Sequence, residues 1–178
     1  MGRTKALLDV DGRAMADRVL DAVRSLGAAP VLLVGGDPVE LEPLETPVVP
    51  DRYPGEGPVG GVLTALDHLA GLGTARENAL ILPCDLVDVT ADALTPLVEA
   101  AAGDGHSRVW VAATDRMEPM CAVWSLDARG VVRERFAAGE RALHRVIAEL
   151  PHATVTVDAA ALRNVNRPED LSGPQHGR

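Results

Sequence analysis

The chain has a single lysine. Lys5 stands against sixteen arginines, so nearly every demand for positive charge is met by a guanidinium. Arginine's planar fork serves most ion pairs and phosphates, whereas lysine is a compact point charge on a flexible stem that can follow a phosphate through a reaction. Count alone does not separate that role from an arginine-biased composition; the residues around Lys5 must. Aromatic residues are almost as scarce, with Tyr53, Trp110, Trp124 and Phe136 the whole set. Stacking platforms for bases are therefore few, and the core has to be built from Ala, Val and Leu, the mix that suits helices packed on a buried parallel sheet. Basic charge is in deficit as well. A formal net charge of −9 disfavours the broad basic patch that a nucleic acid or an anionic membrane surface needs, but it leaves room for a small anionic ligand at a local cation or metal.

Cysteine is limited to Cys84 and Cys121, far apart and without a second pair, so neither a disulfide framework nor a zinc site is indicated. A reduced, cytoplasmic protein is expected. The five histidines (His68, His106, His144, His152 and His176) show no metal-ligand spacing and read as surface residues. No apolar run approaches the roughly 18 residues of a membrane helix, and no signal sequence is recognisable. With 178 residues and 47% hydrophobic content, one domain over residues 1–171 is expected, followed by a flexible polar tail over 172–178.

What is present is an alternation of helix and strand. Met15, Val19, Ala22, Val23 and Leu26 recur at helical spacing and Gly27 supplies a stop. Short strands are predicted over Val31–Val34 and Val48–Val49, and a helix over Val59–Leu72. A continuous apolar strand follows over Ala79–Leu82. Thr90 is the predicted N-cap of a helix reaching Ala102. Arg108–Ala113 and Cys121–Ser125 read as strands joined through a turn over Asp115–Pro119. Helical stretches through Arg135 and over Arg141–Leu150 precede a last strand over Thr154–Val157. This alternation implies a mostly parallel sheet.

Chemistry gathers at the strand ends. Asp37, Asp51, Asp85, Asp115 and Asp158 each follow an apolar run, and ligands of open parallel sheets bind outside the strands' carboxyl ends. For any one of them alone, a turn or a helix cap is the ordinary reading. Asp85 has the best case, because Leu80-Ile81-Leu82-Pro83-Cys84 delivers one carboxylate abruptly to the sheet edge, and one carboxylate with ligand phosphates and water is the usual way to hold Mg²⁺. Cys84 reads as a small buried filler. Asp51 precedes Pro54-Gly55-Glu56-Gly57-Pro58-Val59-Gly60-Gly61, a loop that brings backbone close to a ligand and aims helix N-terminal amides at an anion.

Together these motifs resemble the molybdenum cofactor guanylyltransferases, the MobA-type members of the nucleotidyltransferase superfamily, nearly end to end. Met1-Gly2 with Lys5-Ala6-Leu7-Leu8 and Gly12 is similar to the tail of that family's signature loop. Asp51 with Gly57-Pro58-Val59-Gly60-Gly61 is similar to its second motif, and Pro83-Cys84-Asp85 to its third. Gly139-Glu140-Arg141 and Asn164-Val165-Asn166-Arg167-Pro168-Glu169 are similar to its C-terminal motifs. The resemblance implies a three-layer α/β/α Rossmann-like nucleotidyltransferase fold and transfer of GMP from GTP to molybdopterin, releasing pyrophosphate. Asp85 would hold Mg²⁺, Lys5 would neutralise charge on the leaving pyrophosphate, and Asp51 would contact the nucleotide. Gly57, Gly61, Asn164 and Asn166 would line the pterin side. Transient contact with cofactor-supplying or acceptor proteins is a further implication.

The match departs in three places. Val34 stands where the family often has asparagine, and Val87 where proline is common. The family also carries a first strand and a Leu-Ala-Gly-Gly loop ahead of Met1, so this chain is expected to lack the first strand of the sheet, either through a start placed further upstream or as a truncated domain. A cytidylyl- or sugar-nucleotidyltransferase on the same scaffold, or a non-catalytic nucleotide-binding domain, are the alternatives that these departures leave open.

Overall fold

The first element is one that the apolar pattern does not reveal. In the computed structural model, which describes residues 5–73 and 77–164, a 3₁₀ turn over Lys5–Leu7 leads into a hairpin of β1 (Asp9–Val10) and β2 (Arg13–Ala14). Asp11 and Gly12 make its turn with φ of 54° and 83°, the left-handed pair that an Asp-Gly dipeptide supplies in a two-residue loop. Helix α1 (Met15–Ser25) follows, burying Met15, Ala16, Val19, Leu20 and Ala22. Gly27, at φ 75°, closes it.

Strand β3 (Leu33–Val34) runs parallel to β4 (Val48–Val49). Both are short because Pro47 and Pro50 flank β4 and have no N–H with which to extend the ladder. Next come α2 (Pro58–Gly71), β5 (Asn78–Ile81) and α3 (Ala91–Gly103). The predicted cap of α3 is present: Thr90 Oγ1 accepts from the Ala93 N–H at 3.2 Å. The remaining elements are β6 (Val109–Ala113), β7 (Met117–Ser125), α4 (Arg129–Ala137), α5 (Leu143–Ala148) and β8 (His152–Thr156).

The principal sheet has the order β5-β7-β6-β8. β6 and β8 are parallel, while β7 is antiparallel to both β5 and β6. Three strands thus point one way, as predicted, but the reversed β7 between them makes the sheet mixed. Its cause is local, since β7 returns from β6 through a turn far too short for a parallel crossover. That turn is also tighter than the predicted Asp115–Pro119: the Thr114 N–H donates to the Arg116 carbonyl at 3.0 Å and Ala113 already pairs with Met117. Pro119 falls in the irregular stretch between that pair and Val111↔Ala122, where a missing N–H is tolerated.

Alternation along β6 shows the three layers. Val109 and Val111 pack with Val59, Leu63, Val132 and Ile147 of α2, α4 and α5, whereas Trp110 and Ala112 pack with Val19, Leu94 and Leu97 of α1 and α3. The predicted α/β/α sandwich is therefore present. Among the described residues, β3–β4 forms a separate two-stranded sheet. The expected tail over 172–178 lies outside the described residues.

Candidate active site

β5 delivers its chain end as the sequence predicts: beyond Ile81 the ladder stops, and Asp85 follows Pro83 and Cys84. Asp85 Oδ2 accepts from Lys5 Nζ at 2.5 Å, with the lysine side chain 37% exposed and the aspartate 16%. The backbone of the Lys5 turn is anchored by the Leu8 N–H to the Lys5 carbonyl and by the burial of Ala6 against Ala16, Leu20 and Leu44. The second carboxylate oxygen, Asp85 Oδ1, is buried without a hydrogen-bond partner. A buried acceptor left without a donor is costly, and its lone pairs suit a cation. Among the described residues no group of three or more His, Cys, Asp or Glu side chains gathers as a metal cage. That donor set fits Mg²⁺, which is commonly held by one or two carboxylates together with substrate phosphates and water. Cys84, beside it, has its thiol pKa raised by burial and then by the Asp85 charge, as a neutral filler should.

The first residue of the C-terminal motif reaches the same place. Asn164, exposed, bridges antiparallel to Leu86, and the Val87 N–H donates to the Arg163 carbonyl at 3.3 Å. Arg163 Nε also donates to Asp88 Oδ2 at 2.6 Å. Asn164 is thereby tied to the segment immediately after Asp85. Asn166 lies outside the described residues.

Asp51 sits at the end of β4 and shapes the glycine-rich loop. Its Oδ1 accepts from the Tyr53 N–H at 3.0 Å and the Thr64 hydroxyl at 3.1 Å, while Thr64 Oγ1 accepts from the Arg52 N–H at 3.2 Å. Gly57 caps α2 at φ 81°, a conformation that favours glycine. Gly61, one turn in, has nothing within 4 Å of where a Cβ would stand and lines the same cleft as Asp85. The other three predicted strand-end aspartates serve turns: Asp37 accepts from the Val39 N–H, Asp158 from the Ala160 N–H, and Asp115 from the Thr114 hydroxyl.

Two residues carry more of this geometry than their motif alone discloses. Arg141 donates from Nε to Glu56 Oε2 at 2.8 Å and from Nη1 to the Phe136 carbonyl at 2.8 Å, and its guanidinium lies 4.0 Å over the Phe136 ring. Glu140 Oε1 accepts from the Arg141 and Ala142 N–H groups; those amides, Ala142 foremost, hold its carboxyl below the usual range. Arg141 thus clamps the glycine-rich loop to the end of α4. Gly139-Glu140-Arg141 was legible as a motif, but nothing in the sequence joins it to Glu56.

A family model described as "MobA-like NTP transferase domain" matches residues 1–155. The chain belongs to this family. The MobA-like chain is 32% identical over 177 residues to a protein from Opitutus terrae named "Probable molybdenum cofactor guanylyltransferase", covering 96% of this chain and 86% of that one. A Rhodopirellula baltica protein of the same name is 33% identical over 138 residues, covering 76% of this chain. The chain spans 64% of the length of that relative and of one from Methanothermobacter thermautotrophicus. Among solved structures, molybdopterin-guanine dinucleotide biosynthesis protein A from Archaeoglobus fulgidus superposes with a TM-score of 0.73 at 20% identity, over 94% of this chain and 86% of that one. A 2-C-methyl-D-erythritol 4-phosphate cytidylyltransferase from Thermus thermophilus gives 0.70, also at 20% identity, over 94% and 90%. These likenesses show the nucleotidyltransferase fold.

Proposed function

We propose that the protein transfers GMP from GTP to molybdopterin, forming the guanine dinucleotide cofactor and pyrophosphate. The observation that carries this reading is the Lys5–Asp85 pair with Asp85 Oδ1 buried and unpartnered at the end of β5. In the reaction, a pterin phosphate oxygen forms a bond to the α-phosphorus of GTP, the bond from that phosphorus to the bridging oxygen breaks, and pyrophosphate leaves with the electron pair. Such chemistry rests on positioning and charge neutralisation and needs no covalent protein intermediate. Asp85, whose Oδ1 is buried without a hydrogen-bond partner, would hold Mg²⁺, which when bound would supply charge neutralisation on the phosphates. Lys5, on its flexible stem, follows the charge that develops on the leaving group. Asp51, at the mouth of the glycine-rich loop, contacts the nucleotide, and Gly57, Gly61, Asn164 and Asn166 line the pterin side.

The guanylyltransferase relatives support guanine, and CTP, the donor class of a cytidylyltransferase on the same fold, is the alternative to test. Incubation of the protein with Mg²⁺, molybdopterin and each α-labelled nucleoside triphosphate separates the readings. Labelled dinucleotide from GTP alone is the expected outcome. Product from CTP instead would make it a cytidylyltransferase, and nucleotide binding without turnover would leave a non-catalytic domain.

A further inference from the structure

Lys5 and Asp85 are carried by separate parts of the fold. The β1–β2 hairpin that follows Lys5 is a two-stranded sheet by itself among the described residues, whereas Asp85 follows β5 of the principal sheet. No strand ladder among those residues fixes one segment against the other. One side chain reaches both. Arg18, on α1, donates from Nη1 to the Val87 carbonyl at 3.2 Å and from Nη2 to the Val10 carbonyl at 3.1 Å, and Nη2 also donates to Asp11 Oδ2 at 2.9 Å. Val87 stands two residues beyond Asp85, and Val10 five beyond Lys5. Both are buried, packed together with Met15 and Leu8. Val87 is held from its amide side as well, where its N–H donates to the Arg163 carbonyl. A guanidinium suits this task because its donors diverge in a fixed plane and can serve two carbonyls at once. Its Nε is buried without a hydrogen-bond partner, so the orientation of the group serves the two carbonyls and not its own full set of donors.

We propose that Arg18 is a positioning residue of the active site: by stapling Val10 to Val87 it sets the distance and angle at which Lys5 Nζ meets the Asp85 carboxylate. It acts through two backbone segments, not through its own charge. Its effect on turnover rests on the GMP-transfer reading, under which Lys5 neutralises charge that exists only as pyrophosphate leaves. A displaced Lys5 then lowers kcat and leaves KM for GTP nearly level. Asp11 is the expendable end of the staple, because its side chain is 85% exposed and an ion pair there contributes little.

Because Lys5 is the chain's single lysine, lysine labelled with ¹⁵N at Nζ gives one side-chain resonance in the full chain, which reads the Lys5–Asp85 pair without turnover. Asp85→Asn marks where that resonance lies when the pair is broken. Arg18→Met keeps most of the apolar stem and is expected to move the resonance about half of that way or more. The same variant is expected to lower kcat about tenfold or more, with KM for GTP changed less than about threefold. Arg18→Gln, whose shorter amide serves one carbonyl at most, is expected to give a smaller displacement in the same direction, and it carries the test if Arg18→Met does not fold. Arg24→Met, on the same helix and bonded to Thr46, controls for general loosening and is expected to leave both readouts at parental values. A Lys5 resonance at the parental position in the folded Arg18 variants would overturn the proposal, as would equal displacement by Arg24→Met. Absence of GMP transfer by the parent would overturn the functional reading instead, and the resonance would still decide the role of Arg18.

Discussion

Lys5 Nζ and Asp85 Oδ2 stand 2.5 Å apart although eighty positions separate the two residues. The pair joins the start of the described chain to the carboxyl end of β5, so the lone lysine is held at the place where the parallel strands of such a fold present ligands. The partnership is specific to an ammonium. A guanidinium carries the same charge but spreads it over a rigid plane that cannot rotate three donors about a point.

Lys5→Arg therefore tests geometry at constant charge. The variant is expected to lose about 10²-fold in kcat/KM for GMP transfer, comparable to losing one preorganised charge contact. Its unfolding free energy should stay within about 0.5 kcal/mol of the parent, because the pair is partly exposed and screened. Steady-state pyrophosphate release and urea denaturation measure the two quantities, and wild-type turnover in the arginine variant would remove the need for lysine.

Adjacent glycines in the first turn of α2 separate packing from function. A Cβ at Gly60 would stand 2.9 Å from Tyr53 Cβ, whereas one at Gly61 meets nothing within 4 Å. Gly60→Ala is expected to destabilise by about 1–3 kcal/mol through overpacking. Gly61→Ala should leave stability level, or raise it slightly as alanine favours the helix, while weakening pterin binding. Thermal melts paired with KM for molybdopterin check both; equal destabilisation by the two variants would contradict the packing account.

Much of this was legible in the sequence. The spacing of Met15, Val19 and Ala22 gave α1, Thr90 gave the start of α3, and Pro83-Cys84-Asp85 placed the central carboxylate, because each of these signals is local. What stayed hidden depends on contacts between distant segments. The Arg141–Glu56 clamp spans 85 positions, whereas the return of β7 was legible and only the bounds of its turn, closed by the local Ala113↔Met117 pair, were not. The β1–β2 hairpin is a different case. Its Asp11-Gly12 signal is local and present, but two-residue strands leave no periodicity around it.

Asp67 on α2 is a structural counterpart to Asp85. Its side chain is 8% exposed and meets Arg52 at 3.6 Å, Arg129 at 3.8 Å and Arg133 in a closer bond. Asp67→Asn leaves three guanidinium groups facing one another without a counter-charge. A loss of about 2–3 kcal/mol is expected, below the range for fully buried pairs because the arginines are about half exposed. The urea midpoint measures it, and the deficit should shrink in high salt.

Asp104 sets one component of the acid limit. The Ser107 hydroxyl, the His106 N–H and the Trp110 indole hold its carboxyl at about 2, below the ordinary 3.8. The unfolded chain thus takes up this proton first as pH falls, so the contribution to stability is whole above about pH 4 and is lost down to about pH 2. Asp104→Asn is expected to flatten the fall of stability between those limits. Parallel slopes in variant and parent would contradict the assignment.

The most direct measurement is Mg²⁺-dependent transfer of labelled GMP to molybdopterin by the parent chain and by Asp85→Asn, with circular dichroism recorded on both. The account predicts metal-dependent product from the parent, a loss of about 10³-fold or more in the variant, and identical spectra. Undiminished transfer by Asp85→Asn would contradict the placement of phosphate and metal chemistry at the Lys5–Asp85 pair.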